Sequence, residues 1–166
     1  FIVPTSCGCS IVFGKSMAVT KLMRDLKEGG VTVMLGVPLL YNKLIAGINK
    51  GIKAKGPVVY GILRFLGGIS YGVKKITGKN IGKKLFKAVL QQANISSLRI
   101  AICGAGPLAP SVFKQYQEFG IDFVQGYGLT ETSPILTLNP IEHFKIKSIG
   151  KDFYPYEDLR IQNLET

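Results

Sequence analysis

Apolar residues recur along this chain in two rhythms. Short, nearly continuous runs rich in β-branched residues predict buried strands: "CSIVFG" (Cys9–Gly14), "VTVMLGV" (Val31–Val37), "LRIAICG" (Leu98–Gly104) and "IDFVQGYG" (Ile121–Gly128). Three-to-four spacing predicts helices between them. Ser16 to Glu28 carries Met17, Leu22, Met23 and Leu26 at that spacing, with Gly29-Gly30 as a stop. Pro38 suits a first helical turn, and Leu39, Leu40, Leu44, Ile45 and Ile48 then recur on one side. A further helix is predicted from about Pro110 to Phe119.

The order is strand–helix–strand–helix, an insertion, then strand–helix–strand. Such alternation implies an α/β fold: a partial parallel sheet, since parallel neighbours need crossover connections, with helices on both faces. Strands apolar on both sides agree with burial between two layers. The insertion, Lys53 to Asn94, is helical and basic. Val58/Val59, Ile62, Phe65/Leu66, Ile69 and Val73 recur at helical spacing, although Gly61, Gly67, Gly68 and Gly72 weaken that helix. A second segment, Asn80–Gln92, sets Ile81, Leu85 and Val89 beside Lys83, Lys84 and Lys87. These stripes could dock on a core or lie in a lipid headgroup layer. From Pro134 the pattern changes. Residues 1–134 are expected to form one α/β subdomain, and 135–166 to begin a further, β-rich one.

Composition narrows the class. At 166 residues the chain is long enough for a real core, and 46% hydrophobic residues exclude a disordered tail. It starts at Phe1 and stops in "YEDLRIQNLET", which alternates like a strand, so a piece of a larger enzyme is expected. The net charge of +11 is unevenly placed: thirteen Lys and Arg fall from Lys43 to Lys114, and no Asp or Glu lies between Glu28 and Glu118. The block is either a solvated helical face or a surface for anionic lipid; nucleic acid would want aromatics on a strand platform. Three cysteines, Cys7, Cys9 and Cys103, are too few for a disulfide framework and suit a reducing compartment, as buried inert thiols rather than zinc ligands. No run of eighteen apolar residues is present.

The chemistry gathers at two strand ends. In open α/β sheets, ligands bind beyond the carboxyl ends of strands. Here one strand runs into "CGAGPLAP" (Cys103–Pro110) and another into "QGYGLTE" (Gln125–Glu131), about one strand–helix–strand unit apart. A flat guest could lie between the Gly104–Gly106 backbone and the ring of Tyr127, because base stacking needs only an aromatic face. Thr130 could donate to a phosphate oxygen. Glu131 could reach phosphate only through Mg²⁺, which commonly takes one or two carboxylates. The plainer alternative is an ordinary turn with a capping Thr and a solvated Glu. "GAGPLAP" lacks the Lys-Ser/Thr ending of a P-loop, and the sole histidine, His143, has no local triad context.

The stretch "GAGPLAPSVFKQYQEFGIDFVQGYGLTETSP" resembles the core of the adenylate-forming superfamily, which includes acyl-CoA synthetases, luciferases and peptide adenylation domains. "YGLTE" resembles its signature, and "GAGPL" its preceding glycine–proline turn. "LKEGGVTVMLGVPLLYNKLI" and "SIGKDFYPYEDLRI" resemble the flanking segments, so the likeness runs over nearly the whole chain. The resemblance implies that Tyr127 stacks on adenine against the backbone of Gly104, Ala105 and Gly106. It places Gln125 near the adenine amino group and Gly126 and Gly128 beside the nucleotide and acyl carboxylate. Thr130 would contact the α-phosphate, and Glu131 would help hold Mg²⁺. The reaction implied uses ATP to make an acyl-adenylate, which CoA then displaces.

The basic insertion resembles that of long-chain fatty acid–CoA ligases, which implies a fatty acid substrate, a cytoplasmic location and peripheral contact with anionic membrane. No specific nucleic acid is expected. Homo-oligomers are expected through uncovered strand edges. The family's lysine-containing phosphate loop, its ribose-binding aspartate and its C-terminal domain have no counterpart here, so the piece alone is expected to be inactive. Two alternatives remain open: an acyl-AMP or acyl–carrier-protein ligase, and a non-catalytic lipid- or nucleic-acid-binding module.

Overall fold

A computed structural model of the chain describes residues 2–14, 16, 18–132 and 135–152. Helices α1 (Ile2–Ser6) and α2 (Val19–Glu28) precede strand β1 (Val33–Gly36). Four helices then follow: α3 (Pro38–Lys53), α4 (Pro57–Thr77), α5 (Gly82–Leu85) and α6 (Lys87–Gln92). They lead to β2 (Ile100–Cys103), α7 (Pro110–Glu118) and β3 (Asp122–Tyr127). The chain turns back through a 3₁₀ turn, Thr130–Thr132, into β4 (Thr137–Leu138), which pairs with β5 (Lys151–Asp152). The sheet order is β1-β2-β3-β4-β5. β1, β2 and β3 run parallel, with Met34 beside Ala101 and Ala101 beside Phe123; β4 and β5 are antiparallel additions.

Strand alternation sends Met34, Ala101 and Phe123 to one side, where all three are buried. Aromatic rings from α3 and α7 meet there. Tyr41 packs edge-on against Phe123 at 4.9 Å, and Tyr116 lies at the same centroid distance. The Tyr41 hydroxyl donates toward the carbonyls of Met34 and Ile102 at 2.7 and 2.9 Å, tying α3 to β1 and β2. Burial pushes both phenols far above their ordinary range, so they stay protonated donors. The opposite side carries Leu35, which is 72% exposed. The expected helical cover of that side is not among the described residues.

Three expectations are corrected. Cys9–Gly14 forms no strand; it runs as irregular chain with Phe13 exposed, because no neighbouring strand pairs with it. Cys7 and Cys9 are exposed rather than buried, since they lie in the turn after α1, away from the core. Leu39 points to solvent, while Leu40, Leu44, Ile45, Ile48 and Ile52 form the inward stripe of α3. Met17 and the C-terminal strand expected in 153–166 lie outside the described residues.

The insertion departs furthest. α4 is one continuous helix of 21 residues despite its glycines. Its buried positions are Gly67, Ser70 and Lys74, whereas Val58, Ile62, Phe65 and Ile69 are exposed. The inward side is mixed: Tyr60, Leu63 and Leu66 pack against the core, and the polar groups beside them find partners there. The buried Lys74 ammonium donates to Gln117 at the end of α7 and to Asp122 at the foot of β3. Arg64 and Lys114 reach the buried Glu118 carboxylate at 3.3 and 3.7 Å. A paired cation can be buried where a lone one cannot. Close by, α5 crosses the α7–β3 turn backbone on backbone. A Cβ at Gly82 would sit 2.5 Å from the Gly120 nitrogen, and Gly120 holds φ +78, so both positions call for glycine.

Candidate functional site at the carboxyl ends of β2 and β3

The parallel register sets Cys103 beside Gln125, so the two glycine turns leave the sheet at the same edge from neighbouring strands. After β2 the chain passes through Gly104, Ala105 and Gly106 before Pro110 opens α7. Ala105 is exposed and holds φ 61, a left-handed conformation that costs a non-glycine residue about 1–2 kcal/mol. No atom lies within 4 Å of where a Cβ on Gly104 would stand, so this backbone is open to a guest. Cys103 beneath it is buried, and burial pushes its thiol up to about 11. It is therefore a protonated packing group and not a nucleophile.

β3 supplies the other wall. Gln125 is buried, and its carbonyl accepts from the Asn139 amide at 2.9 Å. Gly126 sits opposite Leu138, where a Cβ would come within 3.3 Å of the leucine side chain. Tyr127 ends the strand 41% exposed, with Gly128 after it also exposed. Thr130 and Glu131 follow on the exposed 3₁₀ turn. The turn does have a capping threonine, but it is Thr132: its hydroxyl donates to the Leu129 carbonyl and accepts the Leu129 N–H, both at 2.9 Å. Thr130 is not used in that cap. Ring, hydroxyl and carboxylate thus succeed one another after β3, at the same end of the sheet as the Gly104–Gly106 turn.

Among the described residues no group of three or more His, Cys, Asp and Glu could hold a metal. A single carboxylate beside a hydroxyl is nevertheless a fitting donor set for a Mg²⁺ whose other ligands are phosphate oxygens and water. An open cleft of about 330 Å³ lies against β3 and β4, lined by Val124, Leu138, Pro140, Ile141, Glu142 and His143.

Sequence reasoning missed Asn139. Its side-chain amide donates to the carbonyls of Lys145 and Ser148 at 2.8 and 3.0 Å, and its oxygen accepts the Lys145 N–H at 3.1 Å. One buried side chain therefore folds the loop after β4 and, through its backbone, buttresses Gln125. A buried asparagine leaves no periodic trace, and the Asn-Pro pair at 139–140 carries only the general signal of a turn.

Comparison with known proteins gives the same direction. The family model described as AMP-binding enzyme matches residues 1–166. The chain is 33% identical over 124 residues to long chain acyl-CoA synthetase 6, peroxisomal, of Arabidopsis thaliana, covering 70% of this chain and 17% of that protein. It is 32% identical over 127 residues to synthetase 7 of the same plant, covering 72% and 17%. With a long-chain-fatty-acid–CoA ligase of Yersinia pestis it shares 34% over 101 residues, 56% of this chain and 17% of that one. The matched region thus spans about a sixth of each relative's length. With the family model covering it from end to end, this chain belongs to the AMP-binding enzymes.

Proposed function

We propose that this chain is the nucleotide-holding part of an ATP-dependent acid–thiol ligase that activates a long-chain fatty acid as its adenylate and transfers the acyl group to CoA. The observation that carries the reading is the register of Cys103 with Gln125, from which the Gly104–Gly106 turn and the exposed Tyr127 leave neighbouring strands at the same end of the sheet. Adenine would lie between them, near Gln125, with Gly126 and Gly128 leaving room for its sugar and the acyl carboxylate. Thr130 would donate its hydroxyl to the α-phosphate as the fatty acid carboxylate attacks and pyrophosphate leaves. Glu131 would hold Mg²⁺, which when bound offsets the charge of the phosphates. The cleft beside Val124 would border the acyl or thiol path.

The acyl-CoA synthetase names of the relatives support the thiol acceptor and the long chain. The remaining parts of the reading are peripheral contact with anionic membrane through the basic insertion, a location on the cytoplasmic side, and self-association through the exposed edge and face of β1. No helix among the described residues is long and apolar enough to cross a membrane. The reading keeps residues 1–134 as one α/β subdomain and 135–166 as the beginning of a further, β-rich one. The chain alone, with half a nucleotide pocket, would be inactive. The test is fatty-acid-dependent ATP–pyrophosphate exchange by the full-length protein. Exchange that collapses in Glu131→Gln supports the reading; exchange with aryl or amino acids alone moves the substrate class, and no exchange with any carboxylate ends it.

A further inference from the structure

Helix α4 carries its apolar crest on the side facing away from its own domain. Val58, Ile62, Phe65, Ile69 and Ile76 follow one another at helical spacing, and Val58, Phe65 and Ile76 are 72%, 71% and 85% exposed. The opposite side is locked. Lys74 is buried against Gln117 and Asp122, and a Cβ on Gly67 would lie 3.1 Å from a Glu118 carboxylate oxygen. Rotating the helix to bury the crest would strip a buried ammonium of its partners, so the outward crest is part of the fold. Gly61, Gly68 and Gly72 have open space where a Cβ would stand, so a flat partner could come close to the backbone.

Charge selects the partner. Exposed Lys53 and Lys55 precede the helix, and exposed Lys75 and Lys79 follow or end it. No carboxylate lies between Glu28 and Glu118, and Glu118 and Asp122 are engaged on the inner side. A second copy laid along this crest would bring lysines against lysines in either direction. An anionic lipid surface takes both halves of the pattern: acyl chains receive the crest, and headgroups receive the helix ends. At roughly 30 Å the helix would lie in the plane of the interface, since it does not meet the length and apolarity needed to cross.

We propose that the α4 crest is a lipid-docking face that seats the protein on anionic membrane. The proposal rests on the membrane contact inferred above and assigns it to particular side chains. The test is sedimentation of the full-length protein with phosphatidylcholine vesicles, with and without phosphatidylglycerol, comparing wild type with Phe65→Ser/Ile69→Ser. Wild type should bind the anionic vesicles and release them with salt. The double variant should bind at least about 10-fold more weakly, with vesicle-free ATP–pyrophosphate exchange unchanged. Hydrogen exchange of wild type over residues 57–77, which needs no variant, should slow when anionic vesicles are added. Equal binding by the variant, or no change over 57–77 while wild type binds, overturns the crest and leaves membrane contact to another surface. Failure of wild type to bind either vesicle overturns both. A dimer that the double variant dissolves, with no vesicle binding, gives the crest to a second copy instead.

Discussion

The two ends of β3 are built on opposite principles. At its foot, Asp122 is gripped by Lys74, and the adjoining Gly120 carbonyl accepts from Asn80 at 2.9 Å. Gln117, buried beside them, donates to the Phe123 carbonyl at 3.2 Å. At its top, five residues on, Tyr127 is half-exposed and Thr130 and Glu131 stand in solvent. Polar groups at the foot meet one another across long stretches of chain, which is how a fold holds an insertion in place. Those at the top are exposed, and in the proposed reading they meet the nucleotide. On that reading one strand separates what is needed to fold from what is needed to bind.

Substitutions at the two ends should therefore fail in different currencies. The largest effect is expected at the top: Glu131→Gln should lower the exchange rate at least about 10²-fold, the scale of losing one preorganised electrostatic group, with hydrogen-exchange protection of β3 kept. At the foot, Asp122→Ala leaves the Lys74 ammonium without its carboxylate. Removing one partner of a fully buried pair costs about 3–5 kcal/mol; Asp122 is 27% exposed on its side chain, so the lower end applies. Amides of α4 and of the start of β3 should lose protection, while the KM for ATP of the folded fraction stays near wild type. Equal losses of protection at both ends would break the comparison.

Smaller effects sharpen it. Tyr127→Ala should weaken ATP binding by about 1–3 kcal/mol, the worth of one stacked base, read as a rise in KM, with Tyr127→Phe restoring most of it. Ala105→Gly should relieve the left-handed φ and add about 0.5–1 kcal/mol of stability, read as a higher denaturation midpoint, without raising that KM. The smallest concerns pH. Burial raises the Glu118 pKa above its ordinary value of 4.5, opposed in part by Arg64 and Lys114. A carboxyl whose folded pKa is raised contributes stability below its unfolded pKa and loses it as pH rises through the folded value. Wild type should accordingly lose protection around α4 and α7 as pH climbs from 4.5, and Glu118→Gln should flatten that slope.

What was legible in the residues follows the same division. β1, β2, β3, α3 and α7 announce themselves by local period and by proline at the first helical turn, and the paired glycine turns by their spacing. The polarity of α4 was not legible, because a window along the helix shows a good apolar stripe and says nothing of Gln117 or Asp122, more than forty residues away. Cys9–Gly14 has strand composition, yet a strand is made by its neighbour's hydrogen bonds, and that neighbour is not among the described residues. At the site, the ring, hydroxyl and carboxylate were readable as types. That Thr132 and not Thr130 caps the turn, and that Asn139 holds the loop behind Gln125, depends on backbone geometry that residue types do not carry.

The most direct test of the nucleotide edge is hydrogen exchange of the full-length protein, read peptide by peptide with and without saturating ATP. Slowed exchange over residues 104–109 and 125–132, with 57–77 and 118–122 unchanged, is the result expected if the guest sits between the two glycine turns. Protection confined to other segments, with both turns exchanging as before, would contradict it.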